Sequence, residues 1–213
     1  MPQAVQTPAE RESRREEILD AALALLADGG LAAVTMRAIA ARVGCSAMTP
    51  YGYFPNRAAI LAGLRDAAFL RFAAALRAAA QGADEPLERL SGIGQAYVAF
   101  ARRETPAYRL MFELERPSEM TAAGRAAWDE IHAAIAFAVA KGVLAGDTAT
   151  LSHIFWSGMH GLCALHIAGR LQAGRTLDEL IDPLMLALVA GTHAGSQDEE
   201  TRRPHGKEKH DAQ

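Results

Sequence analysis

Residues 29–65 contain four arginines and no aspartate or glutamate, although the whole 213-residue chain carries a formal net charge of −3. A surface without carboxylates suits a polyanion, because every carboxylate there would repel phosphate. Neutral donors follow one another closely within this stretch, at Thr49, Tyr51 and Tyr53. Their hydroxyls can reach phosphate oxygens or base edges. The residue types of this stretch therefore predict contacts with a nucleic acid.

The same stretch carries the signals of short helices joined by tight turns. Thr35 is the expected N-cap of the first helix, since its hydroxyl can accept from free backbone donors. Gly44 lies where the chain must reverse, because glycine reaches a positive φ without steric cost. Ser46 and Asn56 are expected to cap the two helices that follow. Such closely spaced caps predict a helix-turn-helix, a motif that places one helix in the DNA major groove.

Residues 12–72 resemble the DNA-binding domain of the TetR/AcrR family of bacterial regulators. The matching sequences are REEILDAALALLADGGLAAVTMRAIAARVGCS and TPYGYFPNRAAIL. The resemblance implies that Thr35, Arg37 and Ser46 frame the motif. Arg57 stands where the family usually has a lysine that contacts phosphate. The resemblance also implies a DNA-facing set: Met48, Thr49, Tyr51, Gly52 and Tyr53.

Two residues depart from the family pattern, and both fall in the recognition helix. Pro50 occupies a position usually filled by leucine, and a proline there removes one backbone donor. We therefore expect this helix to begin late or to be distorted. Gly52 replaces a larger side chain that reaches DNA in many relatives. A second basic cluster at Arg11, Arg14 and Arg15 could reach the DNA backbone or minor groove as an N-terminal arm. Glutamates alternate with these arginines, however, which favours a solvated helix start.

Composition indicates an all-α fold of about nine helices, because half of the residues are hydrophobic and no long stretch alternates in polarity. The polar N-terminus does not look like a signal peptide, and no apolar run reaches membrane-spanning length. The two cysteines are far apart in the sequence and have no metal-ligand spacing. We therefore expect a cytoplasmic protein with no metal, no cofactor and no membrane association.

Residues 80–195 are expected to form a helical bundle for ligand binding and dimerisation, and residues 196–213 a disordered tail. Within the bundle, helices are predicted from about Pro86 to Arg103, from Pro106, from after Pro117 to near Gly142, and from Asp147 to near Gly174. A last helix is predicted from a capping box, Thr176 with Glu179, to Gly191. The last two helices are apolar over most of their surface and rich in small residues. A second copy of the chain can cover them, so we expect a homodimer.

The bundle is rich in aromatic, methionine and histidine side chains, which are typical of a mostly apolar pocket with a few polar anchors. Core packing is the alternative for each aromatic residue, and an ordinary hydrogen bond is the alternative for each histidine. The segment FWSGMHG resembles a Trp-His-Gly signature of one TetR subgroup. A small apolar or amphipathic effector is therefore expected to bind among ten residues: Tyr97, Phe100, Met111, Phe112, Trp128, His132, Phe155, Trp156, Met159 and His160.

The pattern thus predicts a homodimeric transcription regulator, by family resemblance most often a repressor, which an effector releases from a palindromic double-stranded DNA operator. The alternative is a helical-bundle enzyme or ligand carrier with an incidental helix-turn-helix. No GxSxG, HExxH or P-loop motif is present. Paired Glu-x-x-His repeats for a bundle metal site are absent as well. We therefore expect no enzyme activity.

Overall fold

The computed structural model describes residues 7–113 and 119–193. These residues contain eight α-helices, one 3-10 helix and no strand, apart from an isolated bridge between Leu144 and His193. The predicted all-α class is confirmed. The helices are α1 (Pro8–Ala33), α2 (Met36–Val43), α3 (Arg57–Ala80), α4 (Pro86–Arg103), α5 (Thr105–Glu113), α6 (Ala122–Ala140), α7 (Thr148–Ile167) and α8 (Leu177–Gly191). The 3-10 helix, Thr49–Gly52, lies between α2 and α3, where the sequence predicts the recognition α-helix.

Local capping signals decide most of the helix boundaries. Asp147 caps α7, and the predicted capping box of Thr176 with Glu179 begins α8. The predicted end of α7 near Gly174 is wrong, because this helix ends at Ile167. Gly169 takes a φ of 65°, and the Arg170 amide donates to the Leu165 carbonyl at 2.8 Å. This Schellman-type turn provides hydrogen-bond donors for the last carbonyls of the helix and ends it there.

One compact unit comprises the described residues of 1–75 and 100–128. Its core contains Ile18 and Ala22 of α1, Ile39 of α2 and Phe54. Helix α1 packs against both α2 and α5. This core joins the predicted helix-turn-helix to α1 and α5. Helix α5 therefore belongs to this unit, although the sequence assigns it to the bundle.

The other unit comprises the described residues of 76–99 and 129–213, and it contains α7, α8 and most of α4 and α6. Tyr97, Ile135, Phe155 and Cys163 are among its buried side chains. Helices α7 and α8 pack closely at Gly158, where an added Cβ would lie 3.1 Å from the Cδ1 of Leu188. The predicted tail, residues 196–213, lies outside the described residues. No helix in the described ranges is long and apolar enough to cross a lipid bilayer.

Candidate DNA interface and effector cavity

The frame of the helix-turn-helix forms as the sequence predicts at its first two points. The Thr35 hydroxyl accepts a hydrogen bond from the Ala38 amide at 3.1 Å and so caps α2. Gly44 ends that helix with a φ of 75°. The Cys45 amide then donates to the Ala40 carbonyl at 3.0 Å. Residues other than glycine rarely adopt such a φ, so the turn depends on Gly44.

The recognition segment, residues 46–53, contains a single 3-10 turn instead of an α-helix capped by Ser46. An α-helix capped there would need the residue 50 amide to donate to the Ser46 carbonyl, and Pro50 has no N–H. The Thr49 amide donates to that carbonyl instead, at 2.9 Å. The Ser46 hydroxyl lies 2.9 Å from the Thr49 hydroxyl. The cap at Ser46 is therefore wrong, whereas the expected distortion at Pro50 is confirmed.

The side chains predicted to face DNA are mostly accessible. Met48 is 71% exposed and Tyr51 is 47% exposed, so both side chains are accessible to a partner. Thr49 and Tyr53 are half-buried. The remaining predicted residues are exposed: Thr35, Arg37, Ser46, Gly52 and Arg57. The segment thus presents one exposed methionine and one exposed tyrosine next to hydroxyl donors.

The four arginines of residues 29–65 have different environments. Arg42 pairs with Asp28 at 2.9 Å, and Arg65 is buried. The Nε of Arg57 donates to the Val34 carbonyl at 2.6 Å, and its Nη2 donates to the Leu31 carbonyl. Two of its nitrogens therefore hold the end of α1, a role that sequence reasoning missed. Among the residues that the structure describes, Arg37 makes no ion pair and has its full charge available for phosphate.

Two arginines of the expected solvated cluster contact the recognition segment. Arg11 donates to the Gly52 carbonyl and Arg15 to the Tyr53 carbonyl, each at 3.3 Å. Arg14, in contrast, pairs with Glu17 at 2.6 Å within α1. The solvated prediction is therefore wrong for Arg15, which is half-buried, whereas Arg11 is exposed as expected and contacts the segment as well. A signal was present in the sequence, because both share the helix face of the buried Ile18 and Ala22, at spacings of 4, 3 and 4 residues.

A small apolar cavity of about 20 Å³ lies among α4, α6, α7 and α8. Four residues that the sequence predicts as ligand contacts line it: Tyr97, Phe155, Trp156 and Met159. The other lining residues were not predicted as contacts: Leu90, Ile93, Gly94, Ile131, Ala134, Ile135 and Met185. These residues look like ordinary core in the sequence, and only the meeting of four helices brings them together. A volume of this size holds about one water molecule.

The two predicted histidines have different surroundings. The Nδ1 of His160 lies 3.5 Å from the hydroxyl of the cavity-lining Tyr97, and its ring lies 6.0 Å from that of Trp156. His132 instead contacts the Ser152 hydroxyl through Nδ1 at 3.0 Å. That hydroxyl donates its hydrogen to the Thr148 carbonyl at 2.7 Å. The Ser152 hydroxyl must therefore accept a hydrogen bond from His132, which places a proton on its Nδ1. This hydrogen bond links His132 to the first turn of α7.

The remaining four predicted ligand residues belong to the unit that carries the helix-turn-helix. Phe100 packs on Phe72 with ring centroids 5.0 Å apart. Phe112 packs on Tyr108 at 4.9 Å, Met111 is buried, and Trp128 is half-buried. The structure thus divides the ten residues between two units. In the described ranges, no group of three or more His, Cys, Asp or Glu side chains could hold a metal ion.

Comparison with known families agrees with both halves of this arrangement. Residues 18–64, which include α2, the recognition segment and the start of α3, match the family described as bacterial regulatory proteins, tetR family. Residues 90–188 match the tetracyclin repressor-like C-terminal domain. The chain belongs to the TetR family. The cavity-lining residues all fall within the second match, and the predicted DNA contacts all fall within the first.

Relatives of this TetR-family chain include a named repressor. The chain is 41% identical over 83 residues to the HTH-type transcriptional repressor KstR of Mycolicibacterium smegmatis. That match covers 39% of this chain and 40% of KstR, so the chain matches about two fifths of that relative's length.

Solved structures extend the likeness over almost the whole chain. A Rhodococcus protein of unknown function is 25% identical, with a TM-score of 0.76 over 90% of this chain and 98% of its own. The fatty acid degradation regulator FadR of Bacillus halodurans is 17% identical, with a TM-score of 0.66 over 87% of this chain and 97% of its own. At that identity the likeness to FadR concerns the fold.

The TetR-family fold of this chain leaves one apolar surface exposed on α7 and α8. Ile154 and Leu165 of α7 and Leu186 of α8 are exposed, and Leu186 is 70% exposed. Small residues of the same two helices, Ala164, Ala187 and Ala190, are exposed as well. Only Leu177 of α8 is buried among the residues described in that helix. Large exposed apolar patches of this kind mark interaction surfaces.

Proposed function

We propose that this chain is a homodimeric transcriptional repressor that binds a palindromic double-stranded DNA operator and is released by a small-molecule effector. The observation that carries the proposal is the recognition segment, which exposes Met48 and Tyr51 within a stretch that also holds the exposed Arg37 and contains no carboxylate. TetR-family membership and the repressor KstR among its relatives support it. The proposal includes cytoplasmic localisation and the Trp-His-Gly subgroup, whose signature residues include the cavity-lining Trp156. It also includes a DNA-binding domain at residues 12–72 and a ligand-binding and dimerisation domain at 80–195, although the described residues of 100–128 in the latter belong to the same compact unit as the helix-turn-helix.

DNA binding is tested by selecting fragments from a genomic DNA pool and measuring Kd by fluorescence anisotropy at several salt concentrations. We expect a palindromic fragment to bind at least about 1,000-fold more tightly than random duplex, with affinity that falls steeply with salt. The Tyr53→Phe variant removes the hydroxyl and keeps the ring that packs against the core. It should weaken binding to operator and random duplex by similar factors, because a phosphate contact carries no sequence information. Equal affinity of the wild type for every duplex would contradict operator recognition.

The proposed dimer forms through α7 and α8, because their exposed apolar faces lie on neighbouring helices. A twofold dimer would also supply two recognition segments for half-sites about 34 Å apart. The Leu186→Glu variant tests the interface, since it would bury an unpaired charge between two copies at a cost of several kcal/mol. We expect sedimentation to show monomers for this variant.

Leu87→Glu is the matched control for the interface, because Leu87 is 53% exposed but lies on α4. This variant should remain dimeric. A dimer that survives Leu186→Glu and dissociates with Leu87→Glu would place the interface elsewhere.

The proposed effector site is the cavity, and its lining argues for an apolar ligand. Tyr97 and Trp156 contribute a hydroxyl and an indole N–H to this lining, and no charged residue is part of it. A buried ligand charge would therefore have no partner there. Effector pockets usually measure about 300–1,000 Å³, so binding requires movement of flexible walls such as Met159 and Met185. A ligand that prefers the expanded state shifts the protein away from the DNA-binding state.

Trp156 allows this step to be tested directly. The chain has two tryptophans, and Trp128→Phe leaves Trp156 as the reporter. Titration with the apolar dye Nile red should quench Trp156 and raise the operator Kd of the same sample. A ligand carrier without operator recognition, the alternative function, predicts quenching with no effect on DNA binding.

A further inference from the structure

The end of the 3-10 turn is held by side chains from α1. The Arg11 and Arg15 guanidinium groups donate to the Gly52 and Tyr53 carbonyls at 3.3 Å, across 41 and 38 residues of sequence. Carbonyls at the end of a helix have no partner within that helix and carry its negative dipole end. Two cations at this end therefore supply hydrogen-bond partners for the Gly52 and Tyr53 carbonyls.

The same two guanidinium groups lie over aromatic rings of the segment. The Arg15 Cζ lies 4.2 Å from the ring centroid of Phe54, and the Arg11 Cζ lies 5.8 Å from that of Tyr53. Phe54 is buried in the core of this unit, so the contact with Arg15 links α1 to a residue directly after the segment that packing holds in place. A planar guanidinium can stack on a ring and donate to a carbonyl at once, which an ammonium does poorly.

The recognition segment needs such support because it has little internal structure. Its 3-10 helix is four residues long, and Pro50 provides no amide donor. Hydrogen bonds of a 3-10 helix are weaker than those of an α-helix, and long 3-10 runs are uncommon. The capping box of Thr7 with Glu10 stabilises the first turn of α1, directly before Arg11. Support from α1 thus replaces the rigidity that a longer recognition helix would have.

We propose that Arg15, assisted by Arg11, is a positioning residue that sets the orientation of the recognition segment for operator DNA. The proposal rests on the DNA-binding function proposed above. Arg15 acts through the backbone and ring of the segment, while Met48, Tyr51 and Arg37 make the DNA contacts. Arg14 provides the matched control, because it lies on the same helix, carries the same charge and pairs with Glu17.

The experiment compares Arg15→Gln, Arg15→Lys, Arg11→Gln and Arg14→Gln in the full chain. We expect Arg15→Gln to raise the operator Kd by about tenfold or more, the scale for losing a charge-assisted hydrogen bond. Random duplex Kd should change by about the same small factor as in Arg14→Gln. Arg15→Lys should not restore operator affinity, because it keeps the charge and loses the planar geometry. Arg11→Gln should give a smaller loss of the same kind.

A direct phosphate contact predicts a different pattern. It would weaken operator and random duplex equally and reduce the salt slope of binding by about 0.9 relative to Arg14→Gln. Full rescue by Arg15→Lys would likewise assign the effect to charge. Either result would overturn the positioning role of Arg15.

Hydrogen exchange without DNA separates this proposal from the proposed function. The Tyr53 and Phe54 amides donate to the Pro50 carbonyl at 3.1 and 2.9 Å. Both should exchange faster in Arg15→Gln than in Arg14→Gln, while the Ile39 amide in α2 stays unchanged. Identical exchange in the two variants would contradict the positioning role even if the wild type binds its operator. Failure of the wild type to bind any duplex would refute the proposed function and leave the exchange result to decide the positioning role.

Discussion

In the recognition segment Met48 and Tyr51 are exposed and the α1 arginines hold the backbone, whereas around the cavity Tyr97, Phe155 and Met159 are buried and pack the helices together. Met48 is 71% exposed, and Met159 in the cavity wall is 4% exposed. The first region keeps its shape through Gly44, Pro50 and arginine–carbonyl contacts. The second keeps its shape through apolar packing among four helices.

This difference separates stability from binding. Removing an exposed side chain of the recognition segment forfeits little burial, so its effect should appear in DNA affinity. Removing a cavity-lining side chain forfeits burial and leaves a larger void, so its effect should appear in unfolding free energy. The two regions contain the same residue types, and matched substitutions can therefore test the contrast.

Methionine truncation should give the largest contrast. Met159→Ala should lower the free energy of unfolding by about 2–5 kcal/mol, because it removes a buried side chain beside an existing cavity. Met48→Ala should change it by less than about 0.5 kcal/mol and should raise the operator Kd. Urea denaturation and anisotropy titration measure the two quantities. Similar stability losses in both variants would remove the distinction between the regions.

Glycine-to-alanine changes should give a smaller contrast. An added Cβ at Gly92 of α4 would lie 2.9 Å from the Ala79 carbonyl oxygen, a backbone atom that cannot move alone. Gly92→Ala should therefore destabilise by about 1–3 kcal/mol, despite the better helix propensity of alanine.

At Gly52 an added Cβ meets nothing within 4 Å, and the φ there is not positive. Gly52→Ala should leave thermal unfolding unchanged and alter only DNA binding. A lower melting temperature for Gly52→Ala than for Gly92→Ala would reverse the expected order.

Removal of a tyrosine hydroxyl should lower the free energy of unfolding by about 1 kcal/mol at the cavity and leave it unchanged in the recognition segment. Tyr97 is 1% exposed and its hydroxyl lies 3.5 Å from the Nδ1 of His160, so Tyr97→Phe should destabilise. Tyr51→Phe should leave stability unchanged and weaken DNA binding a few-fold. Chemical denaturation of the two variants, read beside the wild type, checks this. A destabilised Tyr51→Phe would mean that the hydroxyl is used within the fold.

Acid should affect the two helix caps differently, and this is the smallest expected effect. Donation from the Thr150 amide and hydroxyl lowers the pKa of Asp147 at the start of α7. Its stabilising contribution is therefore present above the pKa of an unfolded aspartate and is lost as pH falls through the lowered folded value. The Thr35 cap of α2 does not titrate.

Amide exchange across this acid range should reveal the difference between the caps. The Thr150 amide should lose protection, once intrinsic exchange is corrected for, and the Ala38 amide should keep it. Equal losses at both amides would indicate global unfolding instead.

Most of the predictions made from local signals were accurate. The Thr35 cap, the turn at Gly44, the distortion at Pro50, the start of α4 at Pro86 and the capping box of α8 all involve atoms within a few residues of one another. Backbone sterics and nearby donors decide such features, so residue type and spacing are sufficient. The Ser46 cap failed because the missing amide of Pro50 outweighed the capping preference of serine.

The amino-acid sequence by itself determined the all-α class, the helix-turn-helix frame and the carboxylate-free surface of residues 29–65, because these depend on local geometry and residue type. The tertiary structure alone decided that Arg57, Arg11 and Arg15 bind backbone carbonyls and that four of ten predicted pocket residues line the cavity. A side chain's partner depends on which distant helix packs beside it. Hydrophobic packing is non-directional, and the residue types of one helix do not encode that choice.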